Sequence, residues 1–245
     1  MNWYLDAWKN YFTFTGRARR QAYWMFALFN TIAIVLVSVA DSVLGYPGPY
    51  GFGLLSTIYS LAVFLPGLAL FAALGAIVVI PNYRGSLGYG EEFVKCLVGS
   101  IATCDVADCL ACLDAALPLC HDLNPEPTVS VCGGSHGGFL ALHLVAAAPE
   151  RFRCAVARNP VCDIPAMLAT TDIPDWCYLE TLGVVGQQPV VTAQQVASMF
   201  AMSPISRIES IRAHLLLLIG AKDKRVPPSQ VLHRVTPLFT PVTML

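Results

Sequence analysis

Two stretches of this chain, residues 21–40 and residues 51–80, carry no charged residue at all. A helix that crosses a bilayer needs about 20 consecutive apolar residues, and core helices of soluble domains are seldom uncharged for so long. Between the two runs, Gly45-Tyr-Pro-Gly-Pro49 marks a tight connection rather than a helix. Residues 1–70 therefore predict an all-α transmembrane helical hairpin, with helices over about 22–42 and 52–70. Lys9, Arg17, Arg19 and Arg20 precede the first run, whereas the connecting loop holds only Asp41. The positive-inside rule then puts the N-terminus in the cytoplasm, and an even number of spans brings the chain back there. The expectation is a multi-pass membrane protein, with the lipid bilayer as a partner and its C-terminal part facing the cytoplasm.

The second uncharged run is too long for one span, and its character changes near Leu70. Gly75-Ala-Ile-Val-Val-Ile-Pro81 is short and β-branched and ends at a turn, as a buried parallel strand does. The domain boundary is placed at 70/71, and residues 71–245 read as alternating strand and helix. Strands are expected at 76–81, 128–132, 154–158 and 214–220. Helices are expected at 105–117, 138–148 and 228–235, with a less regular stretch to about 208. That alternation gives the α/β class, with a mostly parallel sheet and right-handed crossovers.

Hydrophobic residues make up 56% of the chain and charged residues 13%, and a net charge of −1 offers no general attraction to nucleic acid. All nine cysteines lie at or after Cys96, an odd count that favours reduced thiols. Cys104, Cys109 and Cys112 copy the spacing of an iron–sulfur loop. They also continue a helical apolar stripe with Val106, Leu110, Leu113 and Leu117, and no glycine lets that segment wrap a cluster. Neither a metal nor a cofactor is expected.

Gly133-Gly-Ser-His-Gly137 matches G-x-S-x-G between an apolar strand and an apolar helix. In that context the serine sits on a strained turn with its hydroxyl exposed above the sheet. Ser135 is the expected nucleophile, and Gly133 and Gly137 the small residues that let backbones approach. The backbone N–H of His136, at the helix start, is the expected oxyanion donor. Asp223 follows the strand ending at Gly220 and stands where the triad carboxylate belongs, in the chain order Ser, Asp, His. The only histidine after it is His233, within a helical pattern; His121, His143 and His214 break the order.

Further segments now become recognisable: Asn82-Tyr-Arg-Gly-Ser-Leu-Gly-Tyr-Gly90, Ala157-Arg-Asn-Pro160, Thr171-Asp-Ile-Pro-Asp-Trp-Cys177 and Gly220-Ala-Lys-Asp-Lys-Arg-Val-Pro227. With the serine motif they resemble the catalytic domain of the acylaminoacyl-peptidase group of the prolyl oligopeptidase family, over residues 71 to about 235. The resemblance implies an α/β-hydrolase that takes short N-acylated peptides, with Ser135 and Asp223 in the triad. Asn159 and Trp176 are expected to line the substrate pocket. It also implies a truncated domain. The family's histidine loop lies beyond the helix after the Asp, and its His-Gly-Gly-Pro oxyanion loop would precede Phe71. A serine peptidase impaired by a missing base is the reading; a non-catalytic membrane protein, or a misjoined gene product with an inert hydrolase fragment, is the alternative. Tyr11-Phe-x-Phe14-x-Gly16-Arg-x-Arg19-Arg20-x-x-Tyr23-Trp24, with the apolar runs, resembles small bacterial inner-membrane proteins of the YhaH-like group. The chain thus reads as a chimera.

Overall fold

The computed structural model describes residues 76–120, 126–186 and 190–232, the backbone of 242–244, and scattered positions between 30 and 59. The chain divides into two compact units, Met1–Ile80 and Pro81–Leu245.

In the first unit the described residues of 30–44 and 55–59 are helical. Tyr59 Oη donates to Asn30 Oδ1 at 2.6 Å, and the Leu55 N–H donates to Asp41 Oδ1 at 2.9 Å. Asn30 and Asp41 are buried, while Ile32, Leu36, Val39 and Val43 are exposed. The rest of the expected spans, 22–42 and 52–70, lies outside the described residues. Among the described residues no helix is long and apolar enough to cross a membrane.

The second unit is an α/β structure whose elements follow in the order α1 (Glu91–Lys95), α2 (Cys104–Cys120), β1 (Ser130–Gly134), α3 (His136–Ala147), β2 (Cys154–Arg158), α4 (Ile164–Leu168), α5 (Pro174–Leu182), α6 (Ala193–Ala201), a 3₁₀ segment (Pro204–Ser210), β3 (His214–Gly220), α7 (Ser229–Leu232) and β4 (Val242–Met244). The four strands make one sheet in the order β1-β2-β3-β4, parallel throughout. Cys132 pairs with Val156, and Val156 with Leu216, so short apolar strands meet at their centres. Burial alternates along the strands: Ala155, Ala157, Leu217 and Ile219 are buried on the face that carries the core, whereas Cys132 and Leu216 on the other face are exposed. Helix α3 is buried continuously from Gly138 to Ala146. A helix apolar all round belongs in an interior, and α3 packs against β1 and β2. Phe139, Leu142, Ile164, Met167, Met199, Leu217 and Ile219 form the centre of the core.

Several boundaries differ from expectation. Residues 76–81 form no strand, and Ile77, Val78, Val79 and Ile80 are exposed. A β-branched run becomes a strand only through hydrogen bonds to a neighbour, which composition does not supply. The first ladder strand runs over Ser130–Gly134 rather than 128–132, and the following helix starts at His136 rather than Gly138. The less regular stretch resolves into α4, α5, α6 and the 3₁₀ segment. Helix α6 opens with a capping box between Thr192 and Gln195, and α5 has Pro174 in its first turn and ends on Gly183 at φ 68°. The last helix is described over Ser229–Leu232, with His233 and the residues to 240 outside the described ones. Strand β4 was not anticipated.

Candidate active site

The parallel register brings the carboxyl ends of β1, β2 and β3 to one edge, with Gly134, Arg158 and Leu218 side by side. Ser135 follows β1 directly and holds φ 57°, ψ −120°. A non-glycine residue at positive φ costs about 1–3 kcal/mol and persists only where its surroundings impose it. Here the Ser135 N–H donates to the Arg158 carbonyl at 2.9 Å, and the Ser135 carbonyl accepts from the Phe139 N–H at 3.0 Å. One bond ties the residue to β2, the other to the first turn of α3. The N–H groups opening α3 have no intrahelical acceptor, so they face outward as donors.

The close approach at the bend depends on Gly133. A Cβ there would lie 2.1 Å from the Gly137 carbonyl oxygen. Gly137 contributes that backbone; a Cβ on Gly137 itself would meet open space. At Gly138 a Cβ would come within 3.0 Å of Pro160, which shows how tightly α3 lies on the end of β2.

Asp223 lies three residues beyond β3, at the same edge as Ser135. Its Oδ1 accepts from the N–H groups of Arg225 and Val226, both at 2.9 Å, and its own N–H donates to the Gly220 carbonyl at 3.2 Å. The carboxylate is therefore held by its own turn. Two strand spacings, about 9–10 Å, separate the lines of β1 and β3 that lead to Ser135 and Asp223. The Thr171–Cys177 segment straps this turn down. Asp172 N–H donates to the Lys224 carbonyl at 3.1 Å, Thr171 Oγ1 to the Arg225 carbonyl at 2.7 Å, and Arg225 Nε to Asp172 Oδ1 at 3.2 Å.

Asn159, expected to line the substrate pocket, braces two strand ends. It has φ 42°, its N–H donates to the Leu218 carbonyl at 2.8 Å, and its Oδ1 accepts from the Gly220 N–H at 3.2 Å. It couples the end of β2, which holds Ser135, to the end of β3, which leads to Asp223. Trp176 sits edge-on to the His136 ring, centroids 6.1 Å apart, and packs against the core.

None of the described histidines has its ring placed beside the Ser135 hydroxyl by a contact of this site: His143 and His136 are held by other groups, and His214 lies at the far end of its strand. The His143 ring is buried against Phe139, and its Nε2 donates to the Met202 carbonyl at 3.0 Å. Burial pushes its pKa down to about 4, so it is neutral. His214 opens β3 and lies at the opposite edge of the sheet from Ser135. The His136 ring turns toward Asp105 of α2, Nε2 to Oδ2 3.4 Å. His121 and His233 lie outside the described residues.

Asp105 was missed in the sequence. It shares the helical face of Cys109 and Cys112, so an acid in line with the apolar stripe was the available signal. Tyr83 was missed too: it stacks on His136, centroids 5.6 Å apart. Arg84 beside it donates to both oxygens of Asp108, which pins residues 83–84 to α2 and holds the Asp108 carboxyl below its usual range. Cys104, Cys109 and Cys112 all lie on α2, and all nine cysteines are free thiols.

Known proteins match the two parts separately. Residues 11–73 match a protein family of unknown function, DUF805. The inner membrane protein YhaH of Escherichia coli is 50% identical over 66 residues, 27% of this chain and 54% of that protein. For the second part, the acylamino-acid-releasing enzyme of Arabidopsis thaliana is 42% identical over 163 residues, 66% of this chain. The chain spans about a fifth of the length of that relative, 21%. The acylaminoacyl peptidase of Pyrococcus horikoshii superposes with a TM-score of 0.60 at 22% identity, covering 72% of this chain and 28% of that one. That likeness shows an α/β-hydrolase-like fold. The two parts come from different families that meet within residues 63–73, as in a chimera. Residues 63–241 match the prolyl oligopeptidase family, and the chain belongs to it.

Proposed function

We propose that residues 71–245 act as a serine hydrolase of the acylaminoacyl-peptidase type on short N-acylated peptides. Ser135 is the nucleophile, Asp223 the triad carboxylate and the His136 N–H an oxyanion donor. The observation that carries this reading is the positive φ of Ser135, held from both sides at a strand-to-helix bend. Strain of that kind is kept where it aims a reacting group. Turnover is slow in this reading, because none of the described histidines is free to take the Ser135 proton. Losing one triad member leaves roughly 10³–10⁴-fold catalysis over water, from binding and oxyanion contacts.

Residues 1–70 act in this proposal as a membrane hairpin that holds the hydrolase part at the cytoplasmic face. Support comes from Ile32, Leu36, Val39 and Val43, which are exposed while Asn30 and Asp41 are buried. That is the reverse of a helix facing water and suits one facing lipid.

One preparation tests both parts. Membranes carrying the full chain should retain it through a carbonate wash. They should hydrolyse an N-acetylated amino-acid anilide slowly, and Ser135→Ala should reduce this to background. Release into the supernatant would remove the hairpin. Turnover unchanged in Ser135→Ala would remove the nucleophile, and fast turnover would show that a base is present.

A further inference from the structure

Three buried polar atoms converge beneath the start of α3 without a hydrogen-bond partner: Asp105 Oδ2 from α2, His136 Nε2 from α3 and Glu180 Oε2 from α5. Asp105 is wholly buried, and its Oδ1 accepts only the neighbouring Val106 N–H at 3.0 Å. A carboxylate taken out of water is tolerated when an opposite charge or donors compensate it. The group placed to do so is the His136 ring, 3.4 Å from Oδ2 and 21% exposed. Tyr83 stacks on that ring, Phe139 lies beneath it at 5.4 Å, and Trp176 closes its side. The ring is thus held by α2, α5 and the Tyr83 segment, besides Phe139 of its own helix.

We propose that Asp105 is a positioning residue: by gripping the His136 ring it sets the direction of the His136 backbone N–H beside Ser135. The catalytic meaning of this pair rests on the serine-hydrolase reading; the pair itself does not. Burial, then Asp105, pushes the Tyr83 hydroxyl up to about 12, and burial, then Asp105, pushes the Cys109 thiol up to about 12. Burial pushes the Glu180 carboxyl up, the His136 ring draws it back, and Asp105 adds to the rise. Within α3 itself, His143 stands about two turns further along and is neutral.

The test uses the full chain in detergent with ¹⁵N-labelled histidine, which gives one backbone amide signal for each of the five histidines. His136 is assigned by the signal lost in His136→Gln. Asp105→Asn keeps the shape and removes the charge. It should move both the ring and the backbone amide signals of His136, and leave those of His143 and His214 in place. A ring that moves while the amide stays overturns the positioning claim, and a ring that stays overturns the pair. If all five signals collapse, the variant has unfolded and Asp105→Glu decides. With the charge kept but displaced, it should move the same two signals, and an unmoved amide overturns the claim. In parallel, the rate at which a fluorophosphonate modifies Ser135 should fall by about 10–100-fold in Asp105→Asn, with partial recovery in Asp105→Glu. An unchanged rate overturns the claim. A parent chain that takes no phosphonate counts against the hydrolase reading, and the histidine signals then decide the pair alone.

Discussion

Gly133→Ala should not accumulate as folded protein. The added Cβ would sit 2.1 Å from the oxygen, 2.3 Å from the carbon and 2.9 Å from the Cα of Gly137. All three are backbone atoms, so no side chain can swing aside. Relief requires either unwinding the first turn of α3 or parting β1 from β2, where Gly133 pairs with Ala157. Ordinary overpacking costs about 1–3 kcal/mol. A clash of backbone against Cβ at this distance belongs with the exceptional changes above about 4 kcal/mol, comparable with the whole stability of a small domain. Thermal melting followed by circular dichroism checks this, and a cooperative melt within a few degrees of the parent would contradict it. Gly137→Ala is the internal control. It is a helical position whose Cβ faces open space, so it should be neutral or stabilising by up to about 1 kcal/mol.

Asn159→Ala should cost about 2–4 kcal/mol through two separable effects. Alanine tolerates φ 42° less well than asparagine, and the Gly220 N–H loses its acceptor. Asn159→Gly removes the acceptor but accepts the backbone, so it should cost only the second part, about 1–3 kcal/mol. Asn159→Asp keeps an acceptor and should lie nearest the parent. Urea midpoints of the three variants give the order. If Asn159→Gly proves as damaging as Asn159→Ala, the strain contributes nothing and the hydrogen bond carries the whole effect. If all three match the parent, Asn159 is no brace. The consequence reaches the site because the same short stretch supplies the Arg158 carbonyl to Ser135 and the Asn159 side chain to the strand before Asp223.

The strands at 154–158 and 214–220 were legible because unbroken apolar runs bounded by turns have few other uses. The bend at Ser135 was legible because glycines at fixed offsets stood between a strand pattern and a helix pattern. Residues 76–81 looked equally strand-like and are not a strand. Whether an apolar run is paired depends on a neighbour elsewhere in the chain, which local pattern does not contain. Strand β4 is three residues long, too short for any period to show. The role of Asn159 as a brace lies in the register between β2 and β3, a tertiary fact that its segment's resemblance to a family motif does not contain. Thr171 and Asp172 were noticed only through resemblance, and their physical use, tying down the Asp223 turn, appears once that loop is seen beside them. Asp105 is not legible because an acid at a helix start is ordinarily a solvated or capping group, and here it faces inward.

The strained residue between β1 and α3, Ser135, is the centre of the site. The most direct measurement is peptide mapping of the full chain after reaction with a fluorophosphonate. The account predicts one adduct, on Ser135, formed slowly and absent from Ser135→Ala. A chain that stays unmodified under conditions that saturate a competent serine hydrolase, or one modified at another serine while Ser135 remains free, would contradict it.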